Sequence, residues 1–489
     1  MVILYTETPV FFNDICDEIR LFTGQEQIVH TESKEDNAEH RLMHCFWVAD
    51  GVYRSRAEYY VGGKRVSAAE QKQAAERQSD ALYTKKITKR LVKSVVYEAL
   101  KAHYKITMPW GSLTGIRPTK LLRELAAEGG EAYAREMFLE AFDVSPQKTR
   151  LAEEIVYNQR KHICTIKNNT LDIYIGIPFC TSRCKYCSFI SRDLKNAGLL
   201  KDEYLKCLHG ELLAMRETVQ SYDVRAVYVG GGTPTALEAG ELESLLERIN
   251  EVFPKRGEFT VEAGRPDTVT KEKLRIIKNA GAGRVSINAQ TTNDRTLAAI
   301  GRNHTTEDFF RAFALAREVG FDSINTDIIA GLPGETLADM QKTLDDIMAF
   351  SPENVTVHTL AIKRSSEFAE GLEGKTDAQQ TAQMVEYARA FLESAGLAPY
   401  YLYRQKYMNG NLENVGYAKP GLEGIYNIDN MEETASVMAF GAGGISKLVL
   451  GNENRIERCA NVKDVGHYVA RAGEMAQRKK TLFENTGML

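Results

Sequence analysis

The chain has 489 residues, 43% hydrophobic and 26% charged, the proportions of an ordinary globular protein of about three domains. Its 62 Lys and Arg against 66 Asp and Glu leave a net charge of −4, so no global basic field draws it to nucleic acid or to an anionic membrane. The first residues lack the basic start of a signal peptide, and no run of ~18 apolar residues occurs, which together predict a cytoplasmic protein with no membrane partner.

Residues 1–165 read as an α+β domain, with short strands at 41–47 and 56–61 and a helix at 83–104. That helix carries Lys85, Lys86, Lys89, Arg90 and Lys93; a solvated face is the simpler reading, a handle for RNA the sharper one. Residues 110–118 form a turn-rich segment.

From 166 to 370 the chain alternates strand and helix. Strands are expected to begin near Leu171, Arg225, Glu258, Arg284, Ser323 and Asn354, with helices at 201–219, 238–252, 270–280, 305–319 and 336–349. Thr305 with Asp308, and Thr336 with Asp339, are capping-type starts; Gly281 and Gly320 are stops. Six strands joined by helical crossovers imply a parallel sheet, wound right-handed into an open barrel or a doubly wound sheet. The strands alternate in polarity: Thr260 and Glu262 share a face, as do Ser286, Asn288 and Gln290, then Asn325 and Asp327, then Thr356 and His358. With a side-chain period of two, these line one polar surface where a filled barrel would be apolar. Residues 371–489 form a third, mixed α/β domain, with a helix at 377–395 and a tyrosine-rich stretch containing Tyr400, Tyr401, Tyr403 and Tyr407.

Eight cysteines are too few for a secreted disulfide framework. Cys16, Cys45, Cys164, Cys207 and Cys459 are scattered and read as small buried hydrophobes. Cys180, Cys184 and Cys187 crowd into eight residues after the first barrel strand. A zinc site would need a fourth ligand, with Cys207 and His209 the nearest candidates; a thioredoxin-like pair leaves Cys180 unexplained; an iron–sulfur cluster with one open iron accounts for all three. Gly230-Gly-Gly-Thr-Pro234 follows the second strand, and three successive glycines suggest close backbone approach to a ligand. Residues 369–376 nearly spell a phosphate-binding loop but lack its first glycine, and read as a linker.

The C-x3-C-x2-C spacing, with Tyr186 before the last Cys, resembles the radical S-adenosylmethionine (SAM) superfamily. Tyr174, the cysteine loop, Gly231-Gly232-Thr233, Glu262, Gln290, Arg302 and Asp327 occur in the order of the oxygen-independent coproporphyrinogen III dehydrogenases, and the N-terminal region resembles the HemZ-type branch. The resemblance implies an open, partial (β/α)6 TIM-like barrel. It implies one 4Fe–4S cluster on Cys180, Cys184 and Cys187, and one or two SAM molecules contacted by Tyr174, Tyr186, Gly231, Gly232, Thr233, Glu262, Gln290, Arg302 and Asp327. It implies oxidative decarboxylation of two propionates of coproporphyrinogen III to vinyls, started by a 5′-deoxyadenosyl radical, with a low-potential electron donor such as flavodoxin or ferredoxin as partner. Two positions depart from the better-characterised members: Gly176 stands where they have His, and Phe189 where they have Cys. Relatives that carry haem without oxidising porphyrinogens share both departures, so a haem chaperone is the alternative. A tRNA-modifying radical enzyme is a third reading, against which the near-neutral charge counts. For a four-propionate substrate, Arg404 and Lys406 are the expected cations, Arg404 being better shaped for a bidentate carboxylate contact.

Overall fold

A computed structural model describes every residue except 25, 35–37, 75–80, 116, 188–191, 362–376, 407, 451–454 and 485–489. The near-phosphate-loop segment, Phe189 and Tyr407 therefore lie outside the described residues. The chain divides into two compact units, Met1–Glu153 and Glu154–Leu489, so that residues 166–370 and 371–489 fall within one unit.

In the first unit a five-stranded sheet runs, in spatial order, Ile28–His30, Val2–Thr6, His40–Ala49, Val52–Val61 and Lys64–Ala74. Helices Phe12–Thr23 and Ala81–Tyr104 cover one face, burying Leu4, Ile15, Leu42, Tyr59, Val92 and Val96. Three of the five cations expected on the second helix pair with acids of the same unit. Lys86 pairs with Glu124 at 3.1 Å, Lys89 with Asp14 at 2.6 Å and Lys93 with Glu18 at 3.2 Å. These pairs give the cluster a structural role, which the sequence alone left open.

The second unit is built on β1 (Thr170–Ile177), β2 (Asp223–Gly231), β3 (Glu258–Glu262), β4 (Arg284–Ser286), β5 (Ser323–Ala330) and β6 (Asn354–Thr359). All six are parallel neighbours in chain order, as their alternation with helices requires. Three helix starts carry capping boxes, Glu238 with Glu241, Thr305 with Asp308 and Thr336 with Asp339, and Gly320 closes its helix in the left-handed conformation. The single helix expected at 201–219 is two, Leu199–Ala214 and Arg216–Val219, broken at Met215.

The later chain extends this sheet at both edges. β7 (Ala398–Tyr403) and β8 (Asn414–Ala418) add antiparallel strands beside β6. β9 (Ser436–Phe440) lies parallel to β1, followed by antiparallel β10 (Ile445–Leu450) and β11 (Arg455–Ala460). The eleven strands do not close on themselves, giving the open, partial barrel. Sequence reading passed over β9 because its buried apolar run of four residues, Val437–Phe440, has no period to distinguish strand from helix. A buried carboxylate pins the turn after β9: Glu211 accepts from the Gly441 N–H at 2.8 Å, Asn461 at 2.8 Å, the Tyr468 hydroxyl at 2.6 Å and Lys479 at 2.5 Å. Full pairing is what allows charge to sit at zero exposure.

Candidate active site

The loop leaving β1 carries Cys180, Cys184 and Cys187, none of them in a disulfide. Two arginines hold it from below. Arg265, 3% exposed, donates to the Ser182 carbonyl at 3.0 Å and lies 3.7 Å from the Cys184 sulfur, while pairing with Asp267 at 3.1 Å. Arg302 donates to the Gly264 carbonyl at 3.0 Å and to the Tyr186 hydroxyl at 3.3 Å. Sequence reading missed Arg265; its only signal was a cation three residues past the end of a barrel strand. The Lys185 N–H donates to the Ile300 carbonyl at 3.0 Å, so the cysteine loop is tied to the end of the helix Asp294–Ala299 that follows β4.

Facing the thiols, the carboxyl ends of the strands form a cavity of about 220 Å³. Glu262 accepts from the Tyr228 hydroxyl at 2.5 Å and from the Gly231 N–H at 3.2 Å. Burial pushes its carboxyl up to about 7 although both donors favour the charge. For Asp327 burial also acts upward, yet contacts with His358, Asn325 and Thr356 hold it below the ordinary carboxylate range. β4 ends at Ser286, so Asn288 and Gln290 are not strand residues as the alternation predicted. Gln290 sits at φ 65°, a conformation uncommon for a residue with a side chain, where its N–H and carbonyl bridge Asp327 and Ile329 of β5. Its Oε1 is buried without a hydrogen-bond partner.

Of the residues singled out from sequence, all three cysteines, Tyr186, Gly231, Gly232, Thr233, Glu262, Gln290, Arg302 and Asp327 line this cavity. Tyr174 is not among the lining residues; its ring lies near-parallel to Tyr228 and Tyr426, at 6.4 and 6.3 Å between centroids. Besides lining the cavity, the glycines allow close approach of protein backbone. A Cβ on Gly232 would stand 2.6 Å from the Phe179 carbonyl oxygen, and the Gly232 and Thr233 N–H groups donate to Ile177 and Phe179. Arg404 is buried and donates to Asn411 and to the Leu412 carbonyl; it does not line the cavity, because the strand ends at Tyr403 and the chain turns. Tyr403 and Gln405 face the cavity in its place.

Residues 174–347 match the Radical SAM superfamily. Over 415 residues the chain is 39% identical to the oxygen-independent coproporphyrinogen-III oxidase-like protein HemZ of Bacillus subtilis (strain 168), a match covering 82% of this chain and 83% of that protein. The chain belongs to the radical SAM superfamily, in the coproporphyrinogen-III oxidase-like family. It is also 32% identical over 303 residues to the Heme chaperone HemW of the same organism, covering 60% of this chain and 74% of that one. Among solved structures, the coproporphyrinogen III oxidase HemN of Escherichia coli shares the fold, with TM-score 0.51 and 22% identity over 68% of this chain and 74% of that one.

Radical SAM proteins hold a 4Fe–4S cluster and SAM, and the site's donor set fits both. Among the described residues no three His, Cys, Asp or Glu side chains could hold a single metal ion. The candidate fourth ligands of a zinc site, Cys207 and His209, are not among the residues lining this cavity, and the Cys207 thiol faces the Val469 carbonyl at 3.6 Å. A cluster makes no such demand, since each thiolate binds a different iron. The unpartnered Gln290 oxygen and the Glu262 carboxyl are acceptors suited to a cationic, polar cofactor. No helix among the described residues is long and apolar enough to cross a membrane.

Proposed function

We propose that this protein is a radical SAM enzyme acting on a propionate-bearing tetrapyrrole, converting coproporphyrinogen III to protoporphyrinogen IX by oxidative decarboxylation without oxygen. One observation carries the reading: the three thiols and the polar strand-end residues line a single cavity, in a chain 39% identical to a HemZ relative across 83% of that relative. When bound, a 4Fe–4S cluster and SAM supply one-electron chemistry able to remove a hydrogen atom from an unactivated carbon. Cys180, Cys184 and Cys187 would hold the cluster. Arg265 and Arg302 offset the negative charge gathered there. Glu262, with Gly231–Thr233 alongside, would accept from the cofactor's ammonium, and Gln290 would offer its unpaired oxygen. Asp327 serves the substrate side or a second SAM. A flavodoxin or ferredoxin is the electron donor this chemistry calls for.

Haem carriage is the second reading, supported by the HemW likeness and by Gly176 in place of the histidine of the better-characterised dehydrogenases. Anaerobic incubation of reconstituted, reduced protein with SAM and coproporphyrinogen III separates the two. Carbon dioxide and protoporphyrinogen IX formed over many turnovers support the enzyme; stoichiometric haem binding with no porphyrinogen turnover supports the carrier.

A further inference from the structure

The side of the cavity farthest in sheet order from the cysteines carries a chain of polar groups to which the cluster chemistry gives no role. Asp327 Oδ2 on β5 lies 3.6 Å from His358 Nε2 on β6. His358 Nδ1 lies 3.3 Å from the Tyr403 hydroxyl at the end of β7, two residues before Gln405. All four residues line the cavity. Among the described cavity residues the Lys and Arg side chains are Arg265 and Arg302, both tied to the cysteine side, so on the β6–β7 side the one group that can become a cation is His358.

The geometry gives this chain two settings. Asp327 is fixed by Asn325, which donates to its Oδ1 at 2.8 Å, and its carboxylate, 3.6 Å from His358 Nε2, favours the tautomer that carries its proton on that nitrogen. With His358 neutral, Nδ1 accepts the Tyr403 proton, which is then engaged by the ring. With His358 protonated, Nδ1–H donates to the Tyr403 oxygen and the hydroxyl proton is released to donate to a ligand. An anion in the cavity favours the second setting.

We propose that Tyr403, switched by His358 and oriented by Asp327, anchors a carboxylate of the ligand, and that binding takes up one proton at His358. The proposal rests on the reading above insofar as that carboxylate is a propionate of a tetrapyrrole. The charged and titratable groups facing His358 are Asp327 from β5, Tyr403 from β7 and, through space, Glu262 from β3. Burial raises the Glu262 carboxyl to about 7, so pH profiles are compared in Glu262→Gln as well.

Two measurements on the full chain test the anchor. First, propionate is titrated into protein labelled with 13C-histidine at about pH 7.5, the His358 signal being identified by its loss in His358→Gln. Propionate should move that signal toward the imidazolium position, and should fail to do so in Tyr403→Phe, which keeps the ring packed on Tyr401. An unmoved signal, or equal movement in Tyr403→Phe, overturns the anchor. Second, coproporphyrin III and its tetramethyl ester are bound from about pH 6 to 8. The acid should bind roughly ten- to a hundredfold more weakly to Tyr403→Phe and lose affinity in wild type as pH rises, with the ester indifferent to both. Equal affinity of the acid for the two proteins also overturns the anchor. If neither porphyrin binds while propionate still moves His358, the tetrapyrrole reading falls and the anchor stands.

Discussion

The Arg265 guanidinium lies 3.7 Å from the Cys184 sulfur, linking residues 81 positions apart. A fixed cation at that distance can offset the negative charge of metal-bound sulfur, and the Ser182 contact fixes the loop between Cys180 and Cys184. Arg265→Gln is expected to bind its cluster roughly ten- to a hundredfold more weakly. Iron and sulfide retained after reconstitution and desalting measure this; full retention would show that the arginine only packs.

Cys184→Ala should abolish the cluster's visible absorption, whereas Cys207→Ala should retain it, because the Cys207 thiol faces the Val469 carbonyl. The same holds for Cys180 and Cys187 against Cys16 and Cys459. A cluster surviving loss of Cys184 would place the iron on other ligands.

Glu262 should make the ligand-free protein's stability pH-dependent. Its folded value of about 7 lies above the ordinary 4.5, so the folded state holds the proton longer than the unfolded chain. Its contribution is therefore fully present below about pH 4.5, declines as pH rises to about 7 and is constant beyond. Glu262→Gln removes this component. Urea denaturation of variant and wild type should diverge in the variant's favour between pH 5 and 7 by roughly 1–2 kcal/mol, allowing for the carboxyl's access to cavity water.

Arg404→Leu should act on folding before recognition. Its guanidinium is buried against the Asn411 side chain and the Asn411 and Leu412 carbonyls, and leaving those acceptors unmet costs about 1.5–3 kcal/mol. Denaturant midpoints measure this. An unchanged midpoint with weakened porphyrin binding would return Arg404 to the role its side-chain chemistry suggested.

Local properties were legible in the sequence. Period-two alternation and helix caps place the six barrel strands within two residues of where they stand, and cysteine spacing marks the loop after β1. The same alternation brings Glu262 and Asp327 to one cavity, because successive side chains on a strand must take opposite faces. Through-space pairing was not legible. That Arg265 meets Cys184, that His358 meets Tyr403, that Tyr174 enters an aromatic stack and that Arg404 turns inward to carbonyls depends on which strands become neighbours and where each one ends. So does the place of β9 beside β1, drawn from a segment over 250 residues later in the chain. Spacing is a property of the chain alone, whereas a hydrogen-bond partner is chosen by whichever donor or acceptor the folded sheet brings within about 3 Å.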